Sequence, residues 1–148
     1  MVDVNGILIS DEAYSLMPML NCKCGKCKNE INPVFLYLVD SQIRHVREVL
    51  GRKTFSPFFT CGARCEKHNK DVGGAENSAH LVGMAGDQVF RSIFEFDWIV
   101  SWIYETRVQR KIFYLGRKFI HWDFAYNTPV PHPHEWIKVY PEYFNIIP

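Results

Sequence analysis

Apolar residues recur at helical spacing over two long stretches of the chain, and short apolar-rich segments lie between and after them. Phe35, Leu38, Val39, Ile43, Val46 and Leu50 put one apolar stripe on a helix that begins at Asn32-Pro33. Asn is a good cap there, Pro suits the first helical position, and Gly51 ends the element. Residues 91–107 read as a second long helix, with Ile93, Phe94, Trp98, Ile99, Trp102 and Ile103 forming a wide apolar face that is most simply core. Residues 11–19 read as one short helix capped by Ser10 or Asp11.

Strand signals are shorter. Residues 54–61 are extended in character, with Pro57 unsuited to a central strand position. Residues 62–78 read as loop with a helical turn over 65–70, and 84–90 as a strand. Segments 111–115 and 118–124 flank Leu115-Gly116-Arg117-Lys118 and predict a hairpin. The tail over 127–148 carries Pro129, Pro131, Pro133 and Pro141, and is expected to run extended over the surface without a further regular element. Helices and short antiparallel strands in mixed order, with no repeat or linker, predict a single α+β domain over the 148 residues.

Composition narrows the function. The formal charge is +1, which removes the electrostatic argument for a general nucleic-acid binder. No apolar run approaches the roughly 20 residues of a membrane-spanning helix. The first residues are acidic and polar, so no export signal is expected, and action outside the cytoplasm would need another delivery route. Five cysteines exclude a complete set of internal disulfides. Cys22, Cys24 and Cys27 are packed together, Cys61 and Cys65 stand apart, and the cluster suits free thiols or a structural metal.

Candidate chemistry gathers in Ser78-Ala79-His80-Leu81-Val82-Gly83-Met84-Ala85-Gly86-Asp87. His80 and Asp87 are ligand types for a hydrolytic zinc, and the small residues between them allow a tight turn. On a strand over 84–90, Asp87 shares a face with Ala85 and Val89. By spacing alone, the two are better described as a surface histidine and a turn aspartate. In Ile120-His121-Trp122-Asp123-Phe124, a strand would turn His121 and Asp123 one way and the large apolar residues the other. That pattern fits either the wall of a site or an ordinary solvated face. His68 fits a hydrogen-bonding role better than a ligand, and His132-Pro133-His134 has ligand spacing on a proline-rich tail.

The signature Ser-x-His-x-x-Gly-x-Ala-x-Asp resembles that of the zinc D-Ala-D-Ala carboxypeptidases and their relatives, the peptidoglycan endopeptidases and Hedgehog-like domains. The stretch from Cys61 through Arg64 to Ala75, the Cys22-Lys23-Cys24-Gly25 cluster and the closing Ile120-His121-Trp122-Asp123 are similar to a small phage- and bacterium-borne branch, covering about 22–124 in the right order. The resemblance implies Zn2+ on His80, Asp87 and His121, with Arg64 binding a substrate carbonyl or carboxylate and stabilising an oxyanion. It implies a cell-wall peptide as substrate, cut at D-Ala-D-Ala or a cross-link, and a phage-type setting suits the missing export signal. Two departures stand out. Cys61 replaces a frequent Ser, and Lys118 stands where many relatives place an acidic base three residues before the last His. Asp123 is the nearest carboxylate and is expected to be the catalytic general base, with the orienting of a ligand as its alternative role. The competing expectation is a zinc-stabilised binding or structural domain without catalysis.

Overall fold

The computed structural model describes residues 1–124 and 136–139. It begins with a hairpin that the apolar pattern does not announce: β1 (Val2–Val4) pairs antiparallel with β2 (Ile7–Ile9). Asn5 and Gly6 between them take φ of 53° and 83°, the left-handed pair that a two-residue hairpin turn demands. The single helix expected over 11–19 is two short ones, α1 (Asp11–Tyr14) and α2 (Met17–Leu20). Ser10 Oγ caps α1 by accepting from the Ala13 N–H at 3.1 Å. Pro18 sits in the first turn of α2; it has no N–H to continue a helix from α1, and its ring would crowd the carbonyl of Tyr14.

The first long helix, α3 (Pro33–Arg44), starts where Asn32 Oδ1 accepts from the Val34 N–H at 2.9 Å. It widens into a π turn over His45–Val49, and Gly51 turns the chain away at φ 70°. Next come β3 (Phe58–Cys61), α4 (Glu66–Asp71), a 3-10 turn over Ala79–Val82 and β4 (Ala85–Val89). α5 (Ile93–Glu105) follows, then β5 (Arg110–Tyr114), β6 (Phe119–Asp123) and β7 (Trp136–Val139). β7 corrects the expectation for the tail, because Trp136–Val139 adds a parallel strand to β5. The segment falls between Pro133 and Pro141, so no proline interrupts its ladder. The pair His132 and His134 lies outside the described residues.

The five strands are ordered β3-β4-β6-β5-β7, antiparallel except for the last pair, and helices pack against them as an α+β domain. One face of the sheet meets α3 and α5. Trp122 on β6 stacks on Phe35 of α3 at 4.4 Å between ring centres, and Trp102 of α5 meets it edge-on at 4.9 Å. Within this apolar layer, Gln42 and Gln88 exchange two amide hydrogen bonds of 2.9 and 2.6 Å, and Trp122 donates its indole N–H to Gln88. These bonds remove the cost of burying the amides. Ile99, Trp102 and Ile103 are the buried face of α5, whereas Phe94 is 67% exposed, against the expectation that it belongs to the core. Five residues before Ile99 is about 140° around a helix, which turns Phe94 to the other side.

Candidate metal centre

The opposite face of the sheet carries the chemistry. Register places Cys61 of β3 beside Asp87 of β4, and Asp87 beside His121 of β6. These three therefore form one row across the sheet. His80 reaches the same place from the 3-10 turn, which the signature sequence builds locally. Ser78 Oγ accepts from the His80 N–H at 3.2 Å and opens the turn. Gly83 closes it at φ 70°, and its carbonyl accepts from the Asn32 N–H at 3.0 Å. A Cβ on Gly83 would stand 2.7 Å from that Asn32 nitrogen, so the position excludes any larger residue. Ala85 is fully buried opposite Asp123, and Gly86 turns its bare Cα to Phe35 and Phe59 on the core side.

The result is a triangle of ligand atoms. His80 Nε2 lies 3.2 Å from His121 Nδ1 and 3.4 Å from Asp87 Oδ1, and His121 Nδ1 lies 3.0 Å from the same oxygen. A tetrahedral zinc with bonds of about 2.0–2.1 Å spaces its nitrogen and oxygen ligands about 3.3 Å apart. The side lengths fit. Cys61 Sγ stands nearer the far side of the His80 ring, 3.8 Å from Nδ1, and groups with His80 and Asp87 only within a looser 4.8 Å.

The outer hydrogen bonds fix which ring nitrogens are free to bind. His80 Nδ1 is 2.5 Å from the Gly62 carbonyl, which can only accept, so Nδ1 carries the proton. His121 Nε2 is 2.5 Å from Asp123 Oδ2, a carboxylate acceptor, so Nε2 is protonated in turn. In the neutral imidazoles both remaining lone pairs point at each other and at Asp87. Three acceptors converge with no donor of their own, and a cation satisfies them.

The electrostatics agree. Burial by itself would lower the His80 pKa, but Asp87 and Cys61 outweigh it and push the imidazole up to about 9. Burial would raise the Asp87 carboxyl, yet the His121 and His80 imidazoles beside it drive it well below the usual carboxylate range. Without a metal, a proton on His80 does the work of the cation. At Cys61, burial opposes the thiolate, and His80 beside it turns the balance downward.

Arg64 stands at the rim of the triangle. Its Nη2 is 3.4 Å from Asp87 Oδ2, its Nη1 donates to Asn69 Oδ1 at 3.1 Å, and its Nε donates to Cys61 Sγ at 3.0 Å. The structure thus brings together all five residues singled out in the sequence: His80, Asp87, His121, Arg64 and Asp123. Asp123 sits on the outer side of His121, fully buried, and Arg110 Nε donates to it at 2.6 Å.

The family model described as Peptidase M15 matches residues 16–123, most of the chain and all of this site. The chain belongs to the peptidase M15 family. M15 peptidases are zinc-dependent, and the triangle offers the donor types that a zinc ion takes. No curated protein matches the chain. Three residues of this M15 site carried no functional reading in the sequence. Cys61 was legible only as a substitution for Ser, Asn69 only as a neighbour of His68, and Arg110 only once the β5–β6 register set it opposite Asp123.

Proposed function

We propose that this M15 peptidase is a zinc-dependent hydrolase of cell-wall peptides, cutting peptidoglycan stems at D-Ala-D-Ala or at a cross-link. The observation that carries the proposal is the His80–Asp87–His121 triangle, with sides of 3.0–3.4 Å and its lone pairs converging. Zinc held there supplies Lewis acidity, activating water and polarising the scissile carbonyl.

The chain's own residues supply the rest. Arg64 and Asp87 are the more open members, each with a 14% exposed side chain against 3% for His80, so substrate approaches from their side. Three of the five guanidinium N–H groups of Arg64 are engaged within the protein among the described residues, which leaves two for a substrate carboxylate or a developing oxyanion. Asp123 acts as the positioning residue of His121, the second of the two roles open to it. Its Oδ2 is taken by His121 Nε2 and Arg110 Nε, away from the nitrogen that faces the triangle. A phage-type setting is part of the same proposal.

One observation favours a second reading, a zinc-stabilised binding domain. Among the described residues, the only carboxylates hydrogen-bonded to the triangle are Asp87, itself one of its corners, and Asp123, whose Oδ2 is held by His121 and Arg110 while its buried Oδ1 has no hydrogen-bond partner. Purified chain loaded with zinc should release D-alanine from a peptide ending in D-Ala-D-Ala, or shorten cross-linked muropeptides by mass spectrometry, and His80→Ala should abolish this. Tight zinc binding without cleavage of either substrate at any pH would leave the binding domain as the correct reading.

A further inference from the structure

The thiols left unexplained by the peptidase site collect at a second place. Cys22, Cys24 and Cys27 lie in the loop between α2 and α3, and Cys65 is the residue that caps α4. Their four sulfur atoms all lie within 4.8 Å of one another. Cys24 Sγ is 3.3 Å from Cys27 Sγ and 3.8 Å from Cys65 Sγ. A tetrahedral ion with zinc–sulfur bonds of about 2.3 Å spaces its ligands about 3.8 Å apart.

The backbone around the cluster is arranged for negative sulfur. Each thiol accepts one main-chain N–H: Cys22 from Cys65 at 3.4 Å, Cys24 from Lys26 at 3.5 Å, Cys27 from Asn29 at 3.4 Å and Cys65 from His68 at 3.4 Å. Such donors orient sulfur ligands and disperse the charge of four thiolates around a dication. Lys26 and Lys67 line the same cleft, with Asp71 as the one acid of its lining, and the two lysines offset part of the charge that remains. Otherwise the loop is held by a few hydrogen bonds, among them Cys22 N–H to the Asn29 carbonyl at 3.0 Å and Lys23 Nζ to the Thr60 carbonyl at 2.7 Å. It has no regular secondary structure between α2 and α3, Cys27 is exposed while Cys22, Cys24 and Cys65 are half-buried, and no disulfide forms among the described residues.

We infer that Cys22, Cys24, Cys27 and Cys65 bind a structural zinc ion, separate from the His80–Asp87–His121 site. Four sulfur ligands close the coordination shell, which excludes a water and hence catalysis at that ion. Its role follows from what it ties together. Cys65 directly follows Arg64, whose carbonyl already accepts from Asn29 Nδ2 of the same loop at 2.7 Å. Zinc at the four cysteines fastens the Arg64 segment and α4 to a loop more than thirty residues away in sequence, fixing the backbone from which Arg64 reaches the triangle.

The test separates the two sites. The full chain carrying His80→Ala and His121→Ala, purified under reducing conditions without chelator, should retain about one zinc per chain, half the wild-type content. Its zinc X-ray absorption spectrum should show four sulfurs at about 2.3 Å and no nitrogen shell. Wild-type protein should give the same sulfur shell at half weight, mixed with nitrogen and oxygen, so the result does not depend on the double variant folding. Cys24→Ser together with Cys27→Ser should remove the sulfur shell. Wild-type zinc bound by nitrogen and oxygen alone, iron in the cysteine site, or a Cys24–Cys27 disulfide in the reduced preparation would each overturn the inference, whatever the peptidase assay shows.

Discussion

His121 is held at both ring nitrogens, and this explains more of the site than any other residue. Nδ1 faces Asp87 and His80, while Nε2 is fixed by Asp123, itself paired with Arg110. If Asp123 positions His121, Asp123→Asn should weaken zinc binding by about 10–100-fold and lower activity only as far as zinc is lost. Saturating zinc should then restore the rate in a peptide-release assay. Activity lost in the variant even at saturating zinc would make Asp123 the general base instead. His80 sets a pH dependence of the metal-free chain. Its pKa rises from 6.5 to about 9 on folding, so its contribution to stability is complete below pH 6.5 and is lost as pH climbs through 9. Asp87 works in the other direction, since its lowered pKa gives stability that is present above 3.8 and is lost in more acidic solution. Thermal melts in chelator should therefore be highest between about pH 4 and 6.5. Zinc displaces the His80 proton, so its affinity should rise steadily with pH up to about 9. A metal-free melting temperature that climbs between pH 7 and 9 would contradict the assignment of that proton.

At the level of elements, the site is a row on a sheet with one partner delivered by a turn. β4 is the critical strand because it faces both ways: Asp87 looks to the metal side while Gly86 admits the core. A Cβ on Gly86 would stand 2.6 Å from Phe35 Cζ and 2.9 Å from Phe59. Gly86→Ala should cost about 1–3 kcal/mol of stability through overpacking, read as a lower midpoint in denaturant, and should move Asp87 with the strand. An unchanged midpoint would mean that the two aromatic rings yield freely. The long helices and the β5–β6 hairpin were legible because their periodicity is set by burial on one face, as in Val39, Ile43 and Val46. Local signals could also have given the first hairpin, whose Asn5-Gly6 pair is the strongest short-range turn signal, but three-residue strands leave no periodicity to read. β7 was hidden by the prolines on both sides of it.

Across the whole molecule, the α+β sheet divides labour between its faces. Trp122, Phe35 and Trp102 consolidate one side, and the row from Cys61 to His121 is presented on the other. Among the described residues, no helix is long and apolar enough to cross a membrane. The His80–Asp87 half of the site was readable through the resemblance that its contiguous signature carries, not through the spacing of the two residues. His121 lies 34 residues beyond Asp87, and only strand register brings them together. The same holds for Cys65, which joins the other cysteines across 41 residues and could not be grouped with them by spacing. The most direct measurement is anomalous diffraction at the zinc edge from crystals of the zinc-loaded chain. It should place an ion in bonding contact with His80 Nε2, Asp87 Oδ1 and His121 Nδ1, open on the Arg64 side. An empty triangle, or zinc bound there through Cys61 with His121 turned away, would contradict it.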